Sequence, residues 1–215
     1  MAKHITLPLD QYQVASFLKF VRTKRDVISL WMNAIKAFLI NNPPEESKTA
    51  AVISISVMSM SRLFCELDGG SKIFSISFPF TVLLQGDEIQ FSSRGGVVVD
   101  NRISSQLLSL VEGGGIFEEP DFLRFTDSIL DAVDTEPSLW ELLRELMLAE
   151  DSYVRYDWDV VKINGHMHPE HHLDFSYSSN STFKLGLTGR LDKKSLMGIL
   201  DVETECHYLH AAAAK

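Results

Sequence analysis

Residues 153–175 hold the chain's densest concentration of groups able to move protons or bind metal ions. Tyr153-Val154-Arg155-Tyr156-Asp157-Trp158-Asp159 is followed by His166-Met167-His168-Pro169-Glu170-His171-His172-Leu173-Asp174-Phe175. Four of the seven histidines fall between 166 and 172. Histidine titrates nearest neutrality, and with carboxylates it forms the set used in acid–base catalysis and for borderline metals. Three chemistries fit. A divalent metal ion, as cofactor, could be held by His166, His168, His172 and Asp174, although no HExxH helix or CxxC pair accompanies them. A metal-free site for phosphodiester cleavage would use Arg155 to neutralise a phosphate, with Asp157, His168, His172 and Asp174 as proton carriers and their partners. In the third, nothing reacts: the histidines and aspartates bond one another and cap backbone, ordering the loop over 160–170, which has no core of its own.

All three need strands to position the groups. Val154, Tyr156 and Trp158 alternate with Arg155, Asp157 and Asp159; Leu173, Phe175 and Tyr177 alternate with His172, Asp174 and Ser176. Period two sends alternate side chains to opposite faces. An antiparallel pair around the loop then puts Arg155, Asp157, Asp159, His172 and Asp174 on one sheet face. His168 precedes Pro169, which biases it towards extended backbone and lets it reach over the site.

Elsewhere the pattern predicts alternating helical and strand regions. Residues 9–41 carry a helical stripe of Val14, Phe17, Val21, Ile28, Trp31, Ile35 and Phe38. Asp10 is placed to cap its start, Asn41-Asn42-Pro43-Pro44 stops it, and a wide gap allows a break near Thr23. Residues 50–99 read as a three-stranded antiparallel meander, the last two strands joined at Gln85-Gly86-Asp87. Helices follow over 101–111, 121–133 and 137–148, in an acidic insertion. After the two cluster strands come a strand over 182–187, a helix capped by Asp192 and a final strand over 203–209. The order predicts one α+β domain over 1–215 with antiparallel pairing: 1–42 helical, 50–99 a meander, 101–149 acidic helices, 152–209 β-rich.

The chain has 215 residues and a formal charge of −9, unevenly spread. Residues 1–42 hold six Lys/Arg against two Asp/Glu, and 112–159 hold fourteen Asp/Glu against three Arg. The acidic mean argues against general nucleic-acid grip, leaving only the basic face of Lys19, Arg22, Lys24 and Arg25 for nucleic acid or an acidic protein partner. No uninterrupted apolar run is long enough to cross a membrane, and the N-terminus lacks a secretory h-region. Cys65 and Cys206 are too sparse for a disulfide framework. These features are those of a cytoplasmic protein. Gly113–Gly115 is not followed by the Lys-Ser/Thr of a phosphate loop, and no G-x-S-x-G elbow is present.

The stretch Tyr153–Asp159 and the pattern His168-Pro169-x-x-His172-x-Asp174 resemble the C-terminal signature, Y-x-R-Y-D then H-P-x-x-H-x-H/D, of a family of uncharacterised bacterial proteins of about this length. Its members are met among phage-defence and mobile-element genes. The resemblance implies a role beside a larger enzyme or as a toxin-like effector, and brings no activity with it. Asp174 stands where that signature often has His, which departs from an all-histidine metal site. The expected function is therefore an accessory or interaction subunit that docks through opposed charges onto a larger enzyme or another copy of itself. The competing expectation is a small nuclease or phosphodiesterase using Arg155, Asp157, His168, His172 and Asp174.

Overall fold

A computed structural model describes residues 3–17, 21–57, 61–86, 88–113, 116–117, 121, 127, 129–130, 134, 136–176 and 183–205. Among these, seven strands form one antiparallel sheet: β1 (Lys3–Leu9), β2 (Ala51–Val57), β3 (Ser61–Leu67), β4 (Lys72–Ser77), β7 (Val154–Trp158), β8 (His171–Phe175) and β9 (Phe183–Gly186), neighbours in that order. A hairpin of β5 (Thr81–Gln85) and β6 (Glu88–Ser92) forms a separate two-stranded sheet between β4 and β7 in the chain. The helices are α1 (Gln11–Val14), α2 (Lys24–Ile40), α3 (Asn101–Gly113), α4 (Ser138–Leu148) and α5 (Lys193–Leu200). The α+β class with antiparallel pairing is what the sequence predicts, and the two strand groups merge through the β4–β7 pair.

The N-terminal segment departs from its helical expectation. Lys3–Leu9 is an edge strand whose Leu7 and Leu9 enter the core. Its Pro8 lacks an N–H, which an edge position tolerates. Helix then forms in two pieces. Asp10 caps α1 with Gln13 in a reciprocal capping box, and Thr23 and Asp26 do the same for α2. The break near Thr23 is as the spacing predicts. Asn41, in left-handed conformation (φ 45°), ends α2 ahead of the two prolines.

The meander over 50–99 is corrected to five strands. Val57 pairs with Ser61, so what reads as one strand is two, β2 and β3, with residues 58–60 outside the described residues. Pro79 then ends the β4 ladder between Phe78 and Phe80 and releases the chain towards β5. The helices over 101–111 and 137–148 form as expected, while most of 121–133 lies outside the described residues. Residues 202–204 form a turn in place of the start of a strand, and 206–215 lie outside the described residues.

The sheet buries side chains on both faces. One face carries Ile53, Ile55, Leu63, Cys65, Phe74 and Ile76 against Val27, Ile28, Trp31 and Ile35 of α2, continuous with α3, α4 and the β5–β6 hairpin. Trp31 reaches across it and donates its indole N–H to the Ser77 carbonyl at 2.7 Å. The opposite face carries a smaller core of Phe64, Ile73, Val154, Tyr156 and Leu173, covered by Leu196 of α5.

Candidate functional site

The pairing of β7 with β8 sets Arg155 opposite Asp174 and Asp157 opposite His172. These four share the sheet face that carries the main core, and this is where that face turns polar beyond α2. Four of the five groups expected from strand phase to share a face do so, while Asp159 lies beyond the end of β7 and accepts from loop N–H groups. Arg155 bridges both carboxylates: Nε donates to Asp157 Oδ2 at 2.6 Å and Nη2 to Asp174 Oδ2 at 2.5 Å. Asp157, His172 and Asp174 are 8, 1 and 4 % exposed.

His172 Nδ1 lies 3.0 Å from the Pro169 carbonyl oxygen. A carbonyl only accepts, so Nδ1 carries a proton. Nε2 then faces Asp157 Oδ2 at 3.7 Å and Asp174 Oδ2 at 3.9 Å. The His168 ring meets the His172 ring edge-on, centroids 4.7 Å apart, and its Nδ1 is buried without a hydrogen-bond partner. His166 is exposed.

Three further residues complete the network without a signal in the phase of β7 and β8 alone. Tyr153, in register with Arg155, stacks on Phe74 and bonds the guanidinium with its phenol. Burial pushes that phenol up to about 12, while Arg155 pulls the other way. Lys72 Nζ approaches Asp157 Oδ1, and Lys184 Nζ approaches Asp174 Oδ1, each at 3.9 Å. Burial alone would lower the Arg155 pKa; Tyr153, Asp157 and Asp174 reverse this and raise it, so the guanidinium is firmly charged.

Asp157, His172 and Asp174 offer ligand atoms within 4.8 Å of one another. Both carboxylate Oδ2 atoms, however, already accept from Arg155. An ion ligated through these atoms would compete with a charged guanidinium, while Asp174 Oδ1 is left buried without a hydrogen-bond partner. Among the described residues His166 and His168 join no such group. Of the expected metal set His166, His168, His172 and Asp174, two sit at the network, His168 packs on the His172 ring, and His166 is exposed.

The network supports a loop. Asp159 N–H donates to the Glu170 carbonyl at 2.9 Å, and Asn164 and His168 exchange backbone bonds of 3.0 and 3.2 Å. Asp159 Oδ1 accepts from the Lys162 and Val161 N–H groups, bonds that hold its carboxyl below the usual range. Trp158 Nε1 donates to Glu170 Oε1 at 2.8 Å. Pro169 packs so closely on β9 that a Cβ at Gly186 would stand 3.0 Å from its Cγ. The loop so fastened exposes Val160, Val161, Ile163 and Met167.

The basic docking face is rearranged. Lys24 Nζ turns inward to Asp151 Oδ1 and the Ala149 carbonyl, both at 2.5 Å, tying the start of α2 to the segment after α4. Arg22 and Arg25 also take part in contacts within the chain, and Arg25 lines a cavity with Asp26 and Glu112. Lys19 lies outside the described residues. The reason is the cap at Thr23, which makes Lys24 and Arg25 first-turn residues beside Asp26 and Asp151.

Fold and site together define an α+β protein whose antiparallel sheet buries an Arg/Asp/His/Tyr network beneath a hydrogen-bonded loop. No protein-family model, no curated protein and no solved structure matches the chain. No helix among the described residues is long and apolar enough to cross a membrane.

Proposed function

We propose that the protein is a non-catalytic accessory subunit of a bacterial phage-defence-type system, and that the loop over 159–170 is the surface it offers to a protein partner. The observation that carries the binding role is the exposure of apolar side chains on an ordered backbone. Val161 and Met167 are 88 and 83 % exposed, beside exposed Val160 and Ile163. Four apolar side chains exposed on one short loop favour a contact that covers them. Because the loop is already fastened at both ends, a partner gains that burial with little further loss of chain freedom. The network of Arg155, Asp157, His172 and Asp174 is the rigid base of this surface.

The setting in defence systems rests on the resemblance of residues 153–174. The uneven charge, basic over 1–42 and acidic over 112–159, supports steering of the encounter. We take the compartment to be the cytoplasm, in keeping with the free, buried thiol of Cys65. The phosphodiesterase reading requires its proton carriers in an open concavity, and Asp157, His172 and Asp174 are buried.

Photo-cross-linking tests the proposal. A photoreactive side chain at position 161, in the native host, is expected to capture one discrete larger protein, whereas the same group at Tyr12, exposed on α1, is not. Capture of a second copy alone would make the loop a self-association surface. Failure to cross-link from 161 would contradict the proposal.

A further inference from the structure

The sheet face opposite the main core contains a second charged group that the network does not use. Arg62, on β3, is 5 % exposed. Its Nε donates to Ser75 Oγ at 2.8 Å, its Nη1 to Ser152 Oγ at 3.0 Å and its Nη2 to the Ser152 carbonyl. Every one of these partners is uncharged. A guanidinium has five N–H donors, so one on each terminal nitrogen is unspent. No carboxylate among the described residues pairs with it, and burial pulls its pKa down to about 10. Buried charges are ordinarily paired, because desolvating one alone is costly.

Arg62 also lines a cavity of about 360 Å³ between the sheet and α5. Ser56, Arg62 and Phe64 form its sheet side, and Lys194, Met197 and Gly198 come from α5. Asp201 and Thr204 close it from the segment beyond. The hydrogen-bonding groups of that segment are engaged locally: Asp201 Oδ1 accepts from the Glu203 N–H at 3.0 Å, and Thr204 Oγ1 donates to the chain's own carbonyls. The cavity is thus lined by a buried cation, a lysine from α5, the Asp201 carboxylate with the Ser56 and Thr204 hydroxyls, and apolar walls from Phe64 and Met197, two cationic groups against one anionic. Its volume falls within the range of small-molecule sites, which combine apolar walls with a few fixed polar groups.

We propose that this cavity binds a small organic anion with an apolar body, a medium-chain monocarboxylate. The carboxylate supplies the missing counter-charge by accepting from the N–H groups of Arg62 not bonded to Ser75 or Ser152. The chain lies between Phe64 and Met197, and Lys194 adds attraction for the anion. A charge-assisted N–H···O bond from a guanidinium to a carboxylate is among the stronger hydrogen bonds. An inorganic anion would satisfy the charge but leave the apolar walls uncovered. The site lies on the opposite sheet face from the Arg155 network and stands independently of the loop's proposed role.

Calorimetric titration of the full chain with decanoate tests this, with decanol and inorganic phosphate as comparison probes. Decanoate is expected to bind one-to-one, and decanol to bind about tenfold or more weakly, a difference of about 1.4 kcal/mol. Phosphate is expected not to saturate at millimolar concentration. Arg62→Met should lose decanoate by a similar factor. A Cβ at Gly198 meets nothing within 4 Å, so Gly198→Leu should be accommodated and fill the cavity, removing binding while Arg62 stays intact. Gly198→Leu decides the matter if Arg62→Met does not fold. Absence of decanoate binding, equal binding by Gly198→Leu, or tighter binding of phosphate would each overturn the proposal.

Discussion

Arg155 and Asp174 face each other across β7 and β8, the guanidinium Nη2 donating to the carboxylate Oδ2 at 2.5 Å while Nε of the same group holds Asp157. One cation thus bridges two buried carboxylates, and Lys72 and Lys184 stand 3.9 Å from their other oxygens. The consequences can be measured.

Arg155→Met removes the positive charge and leaves Asp157 and Asp174 together in a buried site. Breaking a buried ion pair from one side typically costs about 3–5 kcal/mol, and a loss of that order is expected in urea unfolding at neutral pH. Arg155→Met combined with Asp174→Leu should be less destabilised, since the remaining Asp157 keeps Lys72 nearby. Equal loss in both proteins would show that the carboxylates are not what Arg155 compensates.

Protein purified without chelator is expected to contain no stoichiometric zinc, manganese or nickel by elemental analysis. Arg155→Ala frees both Oδ2 atoms beside His172 Nε2, and should bind added zinc more tightly than the parent chain. A stoichiometric metal in the parent chain would contradict the arrangement described.

Stability should fall as the pH rises above about 9. Burial pushes the Cys65 thiol from its ordinary 9.0, and the Tyr153 phenol from 10.0, each up to about 12. In these windows the unfolded chain releases protons that the folded one retains, so rising pH favours unfolding. Arg62 works in the opposite sense from about 10 upwards, because its folded-state pKa is lowered. Tyr156, also raised by burial, adds to the decline, while Lys193, lowered by burial, works with Arg62. Urea midpoints between pH 8 and 11 should therefore decline, and Cys65→Ala should flatten the segment from 9 to 10. A rising midpoint would contradict the assignment.

Lys24 should act as an internal tie. A double-mutant cycle of Lys24→Met with Asp151→Asn is expected to give a coupling of about 1.5–3 kcal/mol, the scale of hydrogen bonds to charged groups. Negligible coupling would return Lys24 to the solvated surface.

The strands that build the network were legible because period two held through both of them and put like chemistry on one face. Arg155, Asp157, His172 and Asp174 could be brought together from phase alone. Tyr153 shares that phase but reads as an ordinary core aromatic, and Lys72 and Lys184 join only through pairings that phase does not specify. β1 was hidden differently. Ile5, Leu7 and Leu9 alternate with His4, Thr6 and Pro8, yet Pro8 reads as a breaker until the strand is known to be an edge. β2 and β3 read as one strand because the sequence between Val57 and Ser61 holds no Gly, Pro, Asn or Asp. Lys24 looked solvated because its partner, Asp151, lies far along the chain. The buried cation at Arg62 was not legible: its position on β3 emerges only once that strand is separated from β2.

We propose that the buried network supports the loop over 159–170 and that the loop makes the contact. Partner capture from the native host by the Val161→Asp/Met167→Asp protein tests it most directly, read beside its thermal midpoint. Both side chains are almost fully exposed, so the midpoint should stay within about 2–4 °C of the parent, consistent with a change of about 1 kcal/mol or less. Capture of the partner should be lost. Undiminished capture at an unchanged midpoint would contradict the claim.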